Sequence, residues 1–378
     1  MNHKTFIPIA ALAFAALGFG QTIPEKFVVT GKAAERLMDF SSINLATAQQ
    51  LAETCEGLVA NRNGGHTIIV LDHDGNHVFL DRMDGLGYTN IVTAEMKART
   101  ALLAKRPSKY YMNQLVHDPS DIYTQNELNL YAVAGGLPII INKQLIGAIG
   151  VGGFGPNPPV WSDEICARTS LEKVLGMPQP ALLEDLPAHH ASPGGFAATQ
   201  TPTTNLPSDA VIGAKGNRVF DANQISLAAA KKIGMGCRAF ASSKGATMSL
   251  YVLDTAGEMI HMERMDGQGP LEIKSALLKA QTSLRLREPT TQRWNEVKSG
   301  PHDPSRSSTI YHFFLEPGGI PIVVDGQMIG AVGVSGLDAS DGTGGTMDES
   351  CATEGLKAAF GTHAALPAAG PAAPEHRP

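Results

Sequence analysis

The chain has 378 residues, 43% of them hydrophobic and 17% charged, which is enough apolar material for two ordinary domains with cores of their own. Its formal net charge is -6 and its Lys and Arg residues are spread along the chain. It therefore lacks the basic footprint of a nucleic-acid binder, and no DNA or RNA partner is expected.

The first residues, MNHKTFIPIAALAFAALGFGQ, carry one lysine, a short apolar run broken by Pro8, and small residues at its end. This pattern predicts an export signal over residues 1–20, cut near Gln21, rather than a membrane anchor. A periplasmic or secreted protein, with no membrane association after cleavage, is the expectation. Apolar residues at helical spacing then predict a helix over 46–61. Strands are expected over 67–71 and 77–82, joined by the tight turn DHDG into a hairpin. The motif RMDG, at 82–85, follows at once. A helix over 89–105 comes next, then a long irregular loop, a second hairpin built on PIIIN and LIGAIGV, and a closing helix from about Ser162.

The same order then repeats. VLDHDGNHVFLDRMDGLG at 70–87 returns as VLDTAGEMIHMERMDGQG at 252–269, and GGLPIIINKQLIGAIGVGG at 135–153 as GGIPIVVDGQMIGAVGVSG at 318–336. A period of about 135 residues is too long for a solenoid, so each copy is a domain. The chain divides into the signal at 1–20, a first unit at 40–176, a linker at 177–215 rich in Pro, Ala, Thr and Ser, a second unit at 220–362 and a loose tail at 363–378. Hairpins in place of crossovers predict antiparallel sheets with helices packed on them, an α+β class. The repeated RMDG reads mainly as scaffolding. Asp84 and Asp266 can accept backbone hydrogen bonds, Gly85 and Gly267 tolerate unusual dihedrals, and Arg82 and Arg264 can bond a neighbouring loop or an acidic ligand group.

Four cysteines follow the duplication, Cys55 and Cys166 in the first unit, Cys237 and Cys351 in the second. Three connectivities are open to them. Two bonds within units are preferred, because a duplicated domain should keep one internal contact in both copies, and four buried free thiols are the alternative. No Cys–His–carboxylate constellation and no CxxCH haem attachment site is legible, and the Gly-rich GAVGVSGLD lacks the ending of a phosphate loop.

The motifs LDHDGNHVFLDRMDG, EMKARTA and GGLPIIINKQLIGAIGVGG, with their second copies, resemble the GlcG/HbpS-like family, also found as the C-terminal domain of PduO-type proteins. The resemblance implies two tandem profilin-like domains, each a mainly antiparallel sheet of about five strands packed with helices. It also implies haem as cofactor, a tetrapyrrole as partner, and oligomerisation in several members. Haem iron takes His or Met as axial ligand, and the propionates favour basic residues. Strand alternation places His77, Phe79 and Asp81 on one face and Met259, His261 and Glu263 on the matching face of the second unit, which makes His77 and His261 the candidate iron ligands. Ordinary half-buried strand residues are the alternative. His117 and His302, in matched HDPS loops, form a second candidate set, with a plain Asp-Pro turn as the alternative. An exported haem-binding protein acting in capture, buffering or sensing is expected rather than an enzyme. The competing readings are an enzyme on a small anionic substrate, with Arg82, Arg264, Lys97 and Lys279 binding it and His117 or His302 as acid or base, and an interaction module without chemistry.

Overall fold

The structure, a computed structural model, describes residues 23–37, 39, 41–59, 65–142, 144–153, 162–177, 179, 205–211, 223–299, 311–337 and 346–367. The export signal, most of the linker, the HDPS loop holding His302 and the end of the tail lie outside the described residues.

In each unit, β-branched and aliphatic runs bounded by turn residues make four strands among the described residues, where about five are expected. In the first unit these are β1 (Thr67–Asp72), β2 (His77–Arg82), β3 (Gly136–Ile141) and β4 (Gln144–Gly152). In the second they are β5 (Ser249–Asp254), β6 (Met259–Arg264), β7 (Gly319–Val324) and β8 (Gln327–Ser335). The helices are α1 (Gly31–Leu37), α2 (Leu45–Val59), α3 (Tyr88–Ala104), α4 (Lys109–His117), α5 (Asp121–Glu127) and α6 (Asp163–Leu175) in the first half. In the second half they are α7 (Leu227–Ser243), α8 (Pro270–Leu286), α9 (Thr290–Ser299) and α10 (Thr346–Phe360). The stretch expected as irregular loop therefore carries α4 and α5 in one copy and α9 in the other.

The two units share one sheet. Its eight strands run in the order β3-β4-β1-β2-β6-β5-β8-β7, all antiparallel. The seam is the β2–β6 pairing, with Phe79 opposite Glu263, Leu80 opposite Met262 and Asp81 opposite His261. Leu80 and Met262 occupy the same place in the two copies, so the copies are related about this point as protomers of a two-fold dimer would be. One face of the sheet is covered by α2 and α6 in the first unit and by α7 and α10 in the second, each with its own apolar core. The other face carries α3 and α8 over a single core shared by both units, with Ile69, Leu80, Tyr251 and Met262 at its centre. Among the described residues, no helix is long and apolar enough to cross a membrane.

Both ends reach further than the sequence suggests. Phe27 and Val28 join the first core, Val28 bridging to Ile43, while Ala210 and Val211 join the second, Val211 bridging to Ile225. The start of the expected loose tail pairs with the edge strand β7, where Ala365 N–H donates to Val323 O at 2.9 Å.

Helices α3 and α8 lie almost in contact with the sheet backbone because glycines face them. A Cβ on Gly150 would stand 2.0 Å from Ala94 O, and one on Gly333 would stand 2.1 Å from Ala276 O. Gly150→Ala and Gly333→Ala are each expected to cost about 1–3 kcal/mol by forcing helix and sheet apart, measurable by denaturant unfolding.

Candidate functional site

The repeated RMDG builds the seam. Arg82 Nη2 donates to Asp254 Oδ2 at 2.7 Å and Arg264 Nη1 donates to Asp72 Oδ2 at 2.9 Å, each arginine reaching the hairpin turn of the other unit. Those aspartates do two jobs. Asp72 Oδ1 accepts the N–H groups of Asp74 and Asn76, and Asp254 Oδ1 those of Ala256 and Glu258, which is what closes each turn. Gln224 Nε2 adds a short hydrogen bond to Asp254 Oδ2. The motif aspartates cap helices across the seam: Asp84 Oδ1 accepts from Leu227 N–H at 2.8 Å and Asp266 Oδ1 from Leu45 N–H at 2.9 Å. Both arginines are 3% exposed, so neither offers a face to a ligand. Lys97 and Lys279 are likewise spent, on Asp163 at 2.7 Å and Asp348 at 2.8 Å.

The strand alternation expected around His77 and His261 does not hold. Both hairpins carry a bulge, at Val78 and at Ile260, so that His77 falls opposite Leu71 and Met259 opposite Leu253. The extra residue reverses the facing of the strand start. His77 and Met259 therefore lie toward α3 and α8, while Phe79, Asp81, His261 and Glu263 lie toward α2 and α7. The two candidate iron ligands are on opposite faces of the sheet.

On the α3 face, His77 is half-buried. Its Nδ1 lies 3.0 Å from Tyr251 Oη and its Nε2 lies 3.6 Å from Glu95 Oε1. The neighbouring His77 imidazole, working against burial and helped by Arg99, pulls the Glu95 carboxyl down to about 2. Burial pushes the Tyr251 phenol well above its usual range. Met259 packs against the shared core beside them.

On the other face lies a buried polar cluster. His261 Nδ1 is 2.5 Å from Asp81 Oδ1, and Lys231 Nζ sits 2.6 Å from Glu56 Oε2 and 3.0 Å from Asp81 Oδ2. Arg238 Nη1 reaches Glu263 Oε2 at 3.1 Å and Gln49 Oε1 at 2.9 Å. Gly234 makes room for it, since a Cβ there would stand 2.8 Å from His261 Nε2. Burial, with Asp81 close by, raises the Glu56 carboxyl to about 8, and burial lifts Asp81 to about 6 against the pull of Lys231. Burial also lowers the His261 imidazole to about 4, so it is neutral near pH 7. Sequence reasoning missed Lys231, Glu56 and Arg238. Their signal was a contrast between copies, because Gln49 and Glu56 on α2 stand where Lys231 and Arg238 stand on α7.

His117 ends α4 and is exposed. Behind it, the Arg106 guanidinium lies 4.5 Å over the Tyr110 ring, and ahead of it Ile122 and Tyr123 of α5 are exposed. Cys55 and Cys166 form a disulfide, as do Cys237 and Cys351, with Cα separations of 5.2 and 4.6 Å. His66, a residue the sequence reading did not single out, lies against the first of these bonds.

These surroundings decide how a haem fits. His261 is 2% exposed and tied to Asp81, and His77 is held by Tyr251 and Glu95, so the strand positions do not fit an axial ligand. The cleft lined by Arg82, Asp84, Gln224 and Ile260 is too tight to admit even a water molecule, and so cannot take a macrocycle. The segment around His117 fits better, because its imidazole is open to solvent and exposed Ile122 and Tyr123 follow it within six residues.

The sequence model of a family described as haem degrading protein HbpS-like matches residues 43–172 and 225–357. An uncharacterised 15.0 kDa protein of Citrobacter freundii is 30% identical over 135 residues, 35% of this chain and 92% of that protein. Protein GlcG of Escherichia coli K12 is 34% identical over 93 residues, 24% of this chain and 68% of GlcG. A crystal structure of a double mutant of Streptomyces reticuli HbpS is 26% identical, with a TM-score of 0.32 over 40% of this chain and 97% of that one.

Proposed function

The chain belongs to the HbpS-like family, and on that footing we propose that it is an exported haem or tetrapyrrole binding protein, which takes its ligand on the surface of the first unit around His117. The observation that carries the reading is the pairing of this membership, in both units, with a His117 imidazole open to solvent and followed within six residues by exposed Ile122 and Tyr123. A bound haem supplies an iron that accepts a nitrogen ligand and a flat apolar ring. His117 would provide the ligand, and Ile122 and Tyr123 would provide apolar surface for the ring. Capture, buffering or sensing of haem in the periplasm or outside the cell is the role this suits. The enzyme reading finds less support, since Arg82, Arg264, Lys97 and Lys279 are all committed to buried ion pairs.

Titration of the mature protein with haemin is expected to give a saturable Soret shift. His117→Ala is expected to weaken binding at least about tenfold, the loss of one coordinate bond's worth of affinity, while His77→Ala leaves it unchanged. No Soret shift in the wild-type protein would reject haem binding, and a shift lost with His77 but kept without His117 would move the site to the strand.

A further inference from the structure

The disulfide of the first unit has a neighbour that the second lacks. Cys55, His66 and Cys166 are each 0% exposed, and one donor atom from each lies within 4.8 Å of the other two. His66 Nδ1 is 3.2 Å from Asp163 Oδ1, and Asp163 Oδ2 is anchored by Lys97 Nζ at 2.7 Å. A carboxylate on one ring nitrogen, itself held by a second group, is how proteins orient an imidazole toward a metal. In the second unit Met248 takes the place of His66 ahead of β5, and the matching carboxylate oxygen, Asp348 Oδ1, accepts the N–H of Leu337 at 2.9 Å instead. The two copies thus share the cysteine pair and the Lys–Asp anchor, and differ in whether an imidazole stands between them.

We propose that reduction of the Cys55–Cys166 bond converts this corner of the first unit into a site for one thiophilic divalent cation of the zinc class, bound by Cys55 Sγ, Cys166 Sγ and the His66 ring nitrogen opposite Asp163. An external dithiol delivers two electrons and two protons to the S–S bond and is itself oxidised to a disulfide. The two thiols so formed release their protons to solvent as the thiolates bind the metal. Two thiolates and an imidazole are a borderline-soft set that suits Zn²⁺ and disfavours Mg²⁺ or Ca²⁺. Three protein donors leave one position for water. The second unit, with a thioether in place of the imidazole, does not make this site. The inference is independent of haem, because haemin titration of the oxidised protein leaves the bond intact.

The test uses the full mature chain, reduced anaerobically with a phosphine that is then removed, and Co²⁺ as a spectroscopic stand-in for Zn²⁺. Reduced wild-type protein is expected to develop a thiolate-to-cobalt charge-transfer band with visible tetrahedral bands, saturating at one ion per chain. The oxidised protein is expected to show neither. C237S/C351S should keep the full signal. His66→Ala, which leaves both thiols in place, should weaken binding at least about tenfold, and Asp163→Asn by about tenfold, as losses of a ligand and of its orienting partner. Circular dichroism on the same samples reports whether metal binds a folded chain or restores one. Absence of the band in reduced wild-type protein, folded or not, overturns the proposal. So does a band that His66→Ala leaves undiminished, or one that disappears in C237S/C351S.

Discussion

Arg82→Met is expected to lower the unfolding free energy by about 3–5 kcal/mol, because it strands the Asp254 carboxylate, which is 0% exposed, at the seam between the units. Gln224 still donates to Asp254 Oδ2, so the loss should fall toward the lower end of that range. Arg264→Met creates the same defect at Asp72, where Asn76 Nδ2 still donates to Oδ2 at 3.3 Å. The companion variant is Asp254→Asn, whose side-chain oxygen can still accept from Ala256 and Glu258 and so keeps the hairpin turn. R82M/D254N should cost less than the sum of the single changes, since the buried charge is gone. Guanidinium unfolding of the four proteins measures this. An R82M loss below about 0.5 kcal/mol, the range of ordinary surface changes, would mean that the clasp does not hold the seam.

Stability is also expected to fall as the pH rises from about 6.5 to about 8, through the Glu56–Asp81 pair. Glu56 has a usual value of 4.5 and is raised to about 8 in the fold; Asp81, from 3.8, is raised to about 6. A carboxyl with a raised value contributes stability that is complete below its unfolded value and is lost as the pH climbs through its folded one. The geometry gives the proton a place. Among the described residues, Glu56 Oε1 is a buried acceptor that no hydrogen-bond donor reaches and Asp81 Oδ2 meets only the Lys231 ammonium, and a proton on Glu56 supplies a donor between the two carboxyls. His261 works in the opposite direction, lowered from 6.5 to about 4, so its contribution is lost only as the pH falls below about 6.5. Above that point Glu56 contributes the largest share of the slope, with Lys231, Glu53, Glu263 and Arg238 as the charges around the pair, and Glu349 adds to it in the same direction. One extra proton in the folded state corresponds to about 1.4 kcal/mol per pH unit. Glu56→Gln keeps the shape and cannot ionise, so its unfolding free energy should fall less steeply over the same window, the remaining slope coming from Glu349, which burial raises to about 7, and from His73. Equal slopes in the two proteins would remove the shared proton from the account.

The pattern of strands and helices was legible because it is local. The turn DHDG with β-branched runs on either side predicts β1 and β2 wherever the hairpin ends up, and His77–Arg82 matches the expected strand residue for residue. The repeat, and with it the family, was legible from two ordered sets of motifs. What alternation misjudged was facing, since a single bulge residue at Val78 turns His77 away from Phe79, and no composition signal marks a bulge. The helices α4, α5 and α9 were missed because they are short, at 9, 7 and 10 residues, and rich in polar side chains. His66 escaped notice because its partners, Cys55, Cys166 and Asp163, are distant in the chain.

By itself, then, the amino-acid order determined two copies of one α+β unit, the elements within each and the pairing of like with like, because propensity, turn chemistry and repetition act over neighbouring residues. Only the tertiary structure decided that the copies fuse β2 to β6 in one sheet, that each RMDG clasps the other unit, and that a buried cluster of Glu56, Asp81, Lys231 and His261 fills the seam. Those outcomes depend on which side chains meet across about 180 residues of chain, where the desolvation of Arg82, Asp254, Asp81 and Glu56 is settled by the partner each one finds.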